Sequence, residues 1–109
     1  MKRVCFLGDS RDAIRAFADP VRYRIGVELR AVQLGLEPSD WKPMKDVAPG
    51  AREVRVRDRS GAFRVFYVAS VRDLVVVLHA FQKTLEKTPR RDIALAARRW
   101  REWQGEHEE

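Results

Sequence analysis

The chain is poor in the residues that staple, metallate or anchor a protein. It has one cysteine and two histidines among 109 residues. An internal disulfide is therefore excluded, and with no CxxC and no His/Cys cluster no metal site is expected. Cys5 lies in the apolar run Val4-Cys5-Phe6-Leu7 and reads as a buried strand residue, not as a nucleophile. That run breaks at Gly8-Asp9, too early for a secretory core. The longest apolar stretch, residues 74–78, falls far short of a membrane span. Repeats, linkers and composition shifts are missing too, so one compact domain over residues 1–109 is expected. The reading is a soluble, cytoplasmic protein without cofactor.

Lysine is scarce as well. Of the 22 basic residues 17 are arginine, the net charge is +6 and the pI is near 10.1. Such a balance fits a polyanion or an acidic protein partner. Arginine in place of lysine suits bidentate phosphate contacts and base stacking.

Many of these arginines are woven into a hairpin pattern, from Glu53-Val54-Arg55-Val56-Arg57-Asp58 through Ser60-Gly61 to Phe63-Arg64-Val65-Phe66-Tyr67. Period-two alternation puts Val54 and Val56 on one face and Arg55 and Arg57 on the other. Ser60-Gly61 supplies the turn. Guanidinium groups held on a sheet form an organised phosphate-reading surface, which points to RNA or DNA.

Around the hairpin, residues 2–7 read as a strand, followed by a helix capped at Asp9 or Ser10 and ending near Phe17. Asp19 as N-cap and Pro20 at the first helical position start a second helix, with Val21, Ile25, Leu29 and Val32 at helical spacing and Gly35 at its end. Gly26 inside it is read as allowing close helix packing. Residues 36–52 read as a loop, with Trp41 either on the sheet edge or stacking on a base. Residues 74–83 form an interior strand, with Val75, Val77, His79, Phe81 and Lys83 on one side by alternation. Thr88-Pro89 caps a last helix, with Ile93, Ala96, Ala97 and Trp100 inward and Arg90, Arg91, Arg98, Arg99 and Arg101 outward. A frayed acidic tail, Glu106-His107-Glu108-Glu109, follows. The predicted order is β-α-α-β-β-β-α, an α+β fold in which an antiparallel meander packs against a helical hairpin.

That order resembles the RelE/ParE toxin superfamily, in particular the phage-derived, HigB-like branch of type II toxin–antitoxin systems. The matching words are Phe6-Leu7-Gly8-Asp9-Ser10, Gly26-Val27-Glu28-Leu29 with Val32-Gln33-Leu34-Gly35, Pro38-Ser39-Asp40-Trp41-Lys42-Pro43-Met44, Glu53-Val54-Arg55-Val56, Gly61-Ala62-Phe63-Arg64-Val65-Phe66-Tyr67, Leu78-His79-Ala80-Phe81-Gln82-Lys83 and Lys87-Thr88-Pro89. The resemblance implies a ribosome-dependent mRNA endoribonuclease, acting on mRNA in the 70S ribosome and held inactive by a helix-turn-helix, HigA-like antitoxin in a hetero-oligomer. The implied reaction is attack of a 2′-OH on the adjacent phosphate, which needs no metal. Two departures stand out: Thr84-Leu85 follows Lys83 where the family carries a second lysine, and the tyrosine of some members has no counterpart.

On this reading Arg55 and Arg64 clamp the phosphate, with Lys83 beside them. Glu53 either pairs with an arginine or acts as general base, and His79 is either a hydrogen-bonded core residue or a proton carrier. Arg57 is either an RNA contact or a solvated charge. Tyr67 or Phe66 is core, and the other is open to stack on a base. Lys87 can take the role of the missing lysine, while Arg90, Arg91 and Arg98 either dock on ribosomal RNA or form a solvated face. Two alternatives stay open: a ParE-like toxin that binds DNA gyrase without cutting RNA, and a degenerate RNA-binding homologue.

Overall fold

Three long strands rich in Val, Phe and alternating Arg supply most of a five-stranded sheet. In the computed structural model, which describes residues 1–84 and 86–107, the elements are β1 (Arg3–Phe6), α1 (Ser10–Ala16), α2 (Asp19–Gln33), β2 (Trp41–Pro43), β3 (Ala51–Asp58), β4 (Gly61–Val71), β5 (Leu74–Lys83) and α3 (Arg90–Glu106). The sheet order is β1-β5-β4-β3-β2, with β1 parallel to β5 and the other pairs antiparallel. The α+β class and the β3-β4-β5 meander agree with the sequence. The predicted order lacked β2, whose three residues fall inside a Pro-rich stretch too short to show alternation. Trp41 lies on this edge strand, and the Arg52 guanidinium sits 4.0 Å above its ring.

Each face of the sheet has its own core. Val21, Ile25, Leu29 and Val32 of α2 and Ile14 of α1 pack on Val54, Val56, Phe63, Val65, Tyr67, Val75 and Val77. Ala96, Trp100 and Trp103 of α3, with Met44, Val47 and Ala48, pack on Phe66, Val68, Val76 and Leu78. Neighbouring residues of β4 alternate between the two cores, as strand geometry demands. Neither Phe66 nor Tyr67 is open, because each face at that point is covered.

A bulge in β5 breaks the alternation on which the sequence reading relied. Phe66 pairs with His79 but Tyr67 pairs with Val77, so Leu78 is an extra residue. Val75 and Val77 therefore enter the α2 core, whereas Leu78 and Phe81 pack on the α3 side and His79 bonds to Asp92 of α3. His79 and Lys83 keep a common face, but not one shared with the valines.

The helix signals also need adjustment. Ala18, not Asp19, is the α2 N-cap, and Asp19 in the first turn pairs with Arg22. A Cβ on Gly26 would meet nothing within 4 Å, so this glycine allows no packing inside the chain, although it costs the helix about 1 kcal/mol relative to alanine. Arg99 is not outward: it donates to Leu78 O at 3.0 Å and to Asp9 Oδ1 at 2.8 Å, tying α3 to the β1–α1 turn. That guanidinium holds the Asp9 carboxyl below its ordinary value. Glu106 is still helical, and Glu108 and Glu109 lie outside the described residues. No helix among the described residues is long and apolar enough to cross a membrane.

Phe66 has no exposed surface and joins β4 to the α3 layer. Phe66→Ala is expected to lower unfolding free energy by about 3–5 kcal/mol, read from urea denaturation followed by circular dichroism.

Candidate functional site

Only part of the second sheet face lies under α3. Toward the β3–β4 turn the residues on that face become charged, and the strand register arranges them in three rows. Lys42, Glu53, Phe66 and His79 are successive cross-strand partners in the first. Arg55, Arg64 and Phe81 form the second, and Arg57, Ala62 and Lys83 the third. Directly paired positions stand about 4.5–5.5 Å apart at Cβ, so Arg55 and Arg64 are forced together and would repel.

Glu53 resolves that repulsion. It is wholly buried, and its Oε1 lies 3.3 Å from Arg55 Nε and 3.6 Å from Arg64 Nε. Its Oε2 accepts a hydrogen bond from Thr88 Oγ1 at 3.2 Å. One carboxylate thereby fixes two guanidinium groups and the segment that leads into α3. Arg64 is 5 % exposed and donates through Nη1 to Phe63 O at 3.0 Å. Burial pushes its pKa down, and Glu53 opposes that shift.

Above this pair opens a groove of about 530 Å³, lined by Lys42, Lys45, Arg55, Lys83, Lys87, Asp46 and Glu86, with Met44, Pro43, Thr88 and Ile93 as its apolar and neutral wall. Five cations face two carboxylates there. Desolvation first, then the Arg64 guanidinium, hold the Lys83 ammonium below the ordinary lysine value. The groove therefore has a clustered positive field beside a rigid sheet, the arrangement that attracts a phosphodiester backbone.

The structure brings Arg55, Lys83 and Lys87 together in the groove. Arg64 and Glu53 lie beneath it. Arg57 is on the same face, exposed and outside the groove lining. His79 is separate: its Nε2 pairs with Asp92 Oδ1 at 2.7 Å, its ring stacks on Phe81 at 5.1 Å, and its buried Nδ1 has no hydrogen-bond partner among the described residues. Tyr67 is 1 % exposed on the opposite face. Burial raises its phenol, with Arg52 opposing from beside the hydroxyl without closing a hydrogen bond of ordinary geometry. Arg90 and Arg91 are exposed at the start of α3, whereas Arg98 sits two turns further on, 3.6 Å from Glu102, and lines a different cavity. None of the three lines the groove.

Sequence reasoning gave no site role to Lys42 or Lys45 and read Thr88 only as a helix cap. The signal for Lys42 was there, since Trp41-Lys42-Pro43 precedes the hairpin as a potential edge strand, but Lys45 is brought in only by the turn after β2. Thr88 reads as a helix cap, yet its hydroxyl bonds Glu53 and makes no cap bond.

The chain is thus a small α+β domain with a half-covered sheet and a cationic groove on the open half. The family described as Phage derived protein Gp49-like (DUF891) matches residues 12–101, and the chain belongs to it. This is a RelE-like toxin family, associated with toxin–antitoxin systems, which makes a cognate antitoxin its natural partner. Among curated proteins none matches the chain.

Removing Glu53 leaves two arginines unneutralised, one of them buried. Glu53→Ala is expected to cost about 3–5 kcal/mol of stability in chemical denaturation, well beyond the effect of Arg57→Ala on the exposed end of the same face.

Proposed function

We propose that the chain is the toxin of a type II toxin–antitoxin system and a HigB-like, ribosome-dependent mRNA endoribonuclease, active in the cytoplasm on mRNA bound to the 70S ribosome. Its antitoxin is a helix-turn-helix, HigA-like protein that joins it in a hetero-oligomer. The observation that carries this reading is the convergence of Lys42, Lys45, Arg55, Lys83 and Lys87 on one groove. Family membership places the protein among RelE-like toxins, and the groove favours RNA over a protein target because its charge is fixed on a sheet.

In the reaction the 2′-oxygen attacks the adjacent phosphorus, the bond to the 5′-oxygen breaks, and negative charge builds on the non-bridging oxygens. Arg55 and Lys83 stabilise that charge, and preorganised cations act on the transition state more than on the ground state. Lys42, Lys45 and Lys87 hold the flanking backbone, with Lys87 standing in for the lysine missing after Lys83. Arg64 and Glu53 position Arg55 and are not themselves exposed to substrate. His79 is a structural tie between β5 and α3. Arg57 and the exposed Arg90, Arg91 and Arg98 lie outside the cutting site and are left to ribosome docking, while Tyr67 is core.

Primer extension on transcripts translated in vitro tests the assignment. Arg55→Ala and Lys83→Ala are each expected to reduce cleavage by about 10²–10³-fold with the far-ultraviolet spectrum unchanged. Full cleavage by both variants removes the groove from the mechanism, and intact transcripts with DNA damage on induction favour a gyrase-directed toxin.

A pH series separates the two roles open to Lys83. As a cation it loses function once deprotonated, and its lowered pKa brings that loss below the ordinary lysine value. The ratio of wild-type to Lys83→Arg cleavage rates is therefore expected to fall as pH rises through the folded lysine value. A ratio that rises instead identifies Lys83 as the base.

A further inference from the structure

Helix α2 has a second apolar face that none of the described residues covers. Tyr23, Val27 and Leu34 recur at spacings of four and seven residues, which puts them on one stripe opposite the buried Val21, Ile25 and Val32. They are 74 %, 49 % and 55 % exposed. Scattered exposed apolar residues carry no message, but here three of the five large ones among the described residues share one helix face.

Gly26 lies on the flank of this stripe, with open space where its side chain would be. No neighbour inside the molecule requires a glycine there, whereas a second helix laid along the stripe could approach closely over it. Beside Gly26 a slot of about 230 Å³ opens between α1 and α2, floored by Phe6, Ile14, Ile25 and Leu29. Its rim is basic: Arg11, Arg15 and Arg22 border the slot, and Arg30 stands exposed within the stripe. Asp19, in the first turn of α2, is paired with Arg22, and Glu28 is buried against Ser39.

We propose that this face docks one amphipathic helix of a partner, apolar along its ridge and flanked by carboxylates, carried by the antitoxin. A second copy of the chain fits poorly, because a two-fold interface here would set Arg22 and Arg30 against their own copies. From Tyr23 to Leu34 the stripe runs about 16 Å, room for three helical turns. It lies across the sheet from the cationic groove, so a partner held here leaves the groove open. Naming the antitoxin as carrier rests on the toxin reading. The surface itself does not.

The test uses the full chain and the purified antitoxin encoded beside it, with affinity read by calorimetry and cleavage by primer extension. Val27→Glu and Leu34→Glu are each expected to weaken the complex at least 10-fold and the pair at least 100-fold, while the free variants cut transcripts at the wild-type rate. Gly26→Leu is expected to weaken binding similarly, and Lys83→Ala to bind as wild type. Unchanged affinity in Val27→Glu and Leu34→Glu, with loss in Lys83→Ala, overturns the proposal by placing the partner on the groove. A concentration-dependent dimer of the free chain that Val27→Glu abolishes overturns it in favour of a second copy. Loss of antitoxin binding in Val27→Glu by a chain that never cuts RNA supports the docking face and refutes the nuclease reading alone.

Discussion

The buried carboxylate of Glu53 is the interaction on which the site depends. The hairpin register sets Arg55 directly against Arg64, an arrangement that repels unless a negative charge is placed between them. Glu53 supplies that charge from the next row of the same face and uses its other oxygen to hold Thr88. Thr88 directly follows Lys87, so the same carboxylate that sets the arginines also sets one wall of the groove. A buried ion pair is a weak source of net stability, but removing one partner is costly because it leaves the other charge buried and uncompensated.

The groove exists because the two faces of the sheet are covered unequally. On one side α1 and α2 span an apolar surface that includes Val54, Val56 and Phe63 out toward the turn. On the other, α3 packs on Phe66, Val68, Val76 and Leu78, and the strands run on past it. Residues on that overhang have no core to join and are free to be charged. The bulge at Leu78 then decides which residues of β5 face it. Had residues 77–83 alternated without a break, Phe81 and Lys83 would face the α2 core with Val77, where an ammonium has no partner.

Much of this was legible in the sequence. Alternation in residues 53–57 separated Val54 and Val56 from Arg55 and Arg57, and the helical spacing of Val21, Ile25, Leu29 and Val32 marked the buried side of α2. The rest depended on tertiary partners. No local pattern announces a bulge inside Leu74-Val75-Val76-Val77-Leu78-His79, since every residue of that run is compatible with either face. The burial of Tyr67 follows from α2 lying over it, and Lys45 reaches the groove only through the loop between β2 and β3. Glu53 was read as a partner for arginine or as a base, and its complete burial beneath the groove favours the first role.

On the proposed reading, an apolar α2 face and a cationic groove on opposite sides of one sheet give the antitoxin and the RNA separate surfaces. The claim at the centre of this account is that the groove drives 2′-OH attack on RNA. It is tested most directly by the chemistry of the cut ends, determined by mass spectrometry on transcripts treated with the wild-type chain and with a folded Arg55→Ala/Lys83→Ala variant. The account predicts 5′-hydroxyl and 2′,3′-cyclic phosphate ends from the wild type and none from the variant. Ends bearing a 5′-phosphate, or the same ends from both proteins, contradict it.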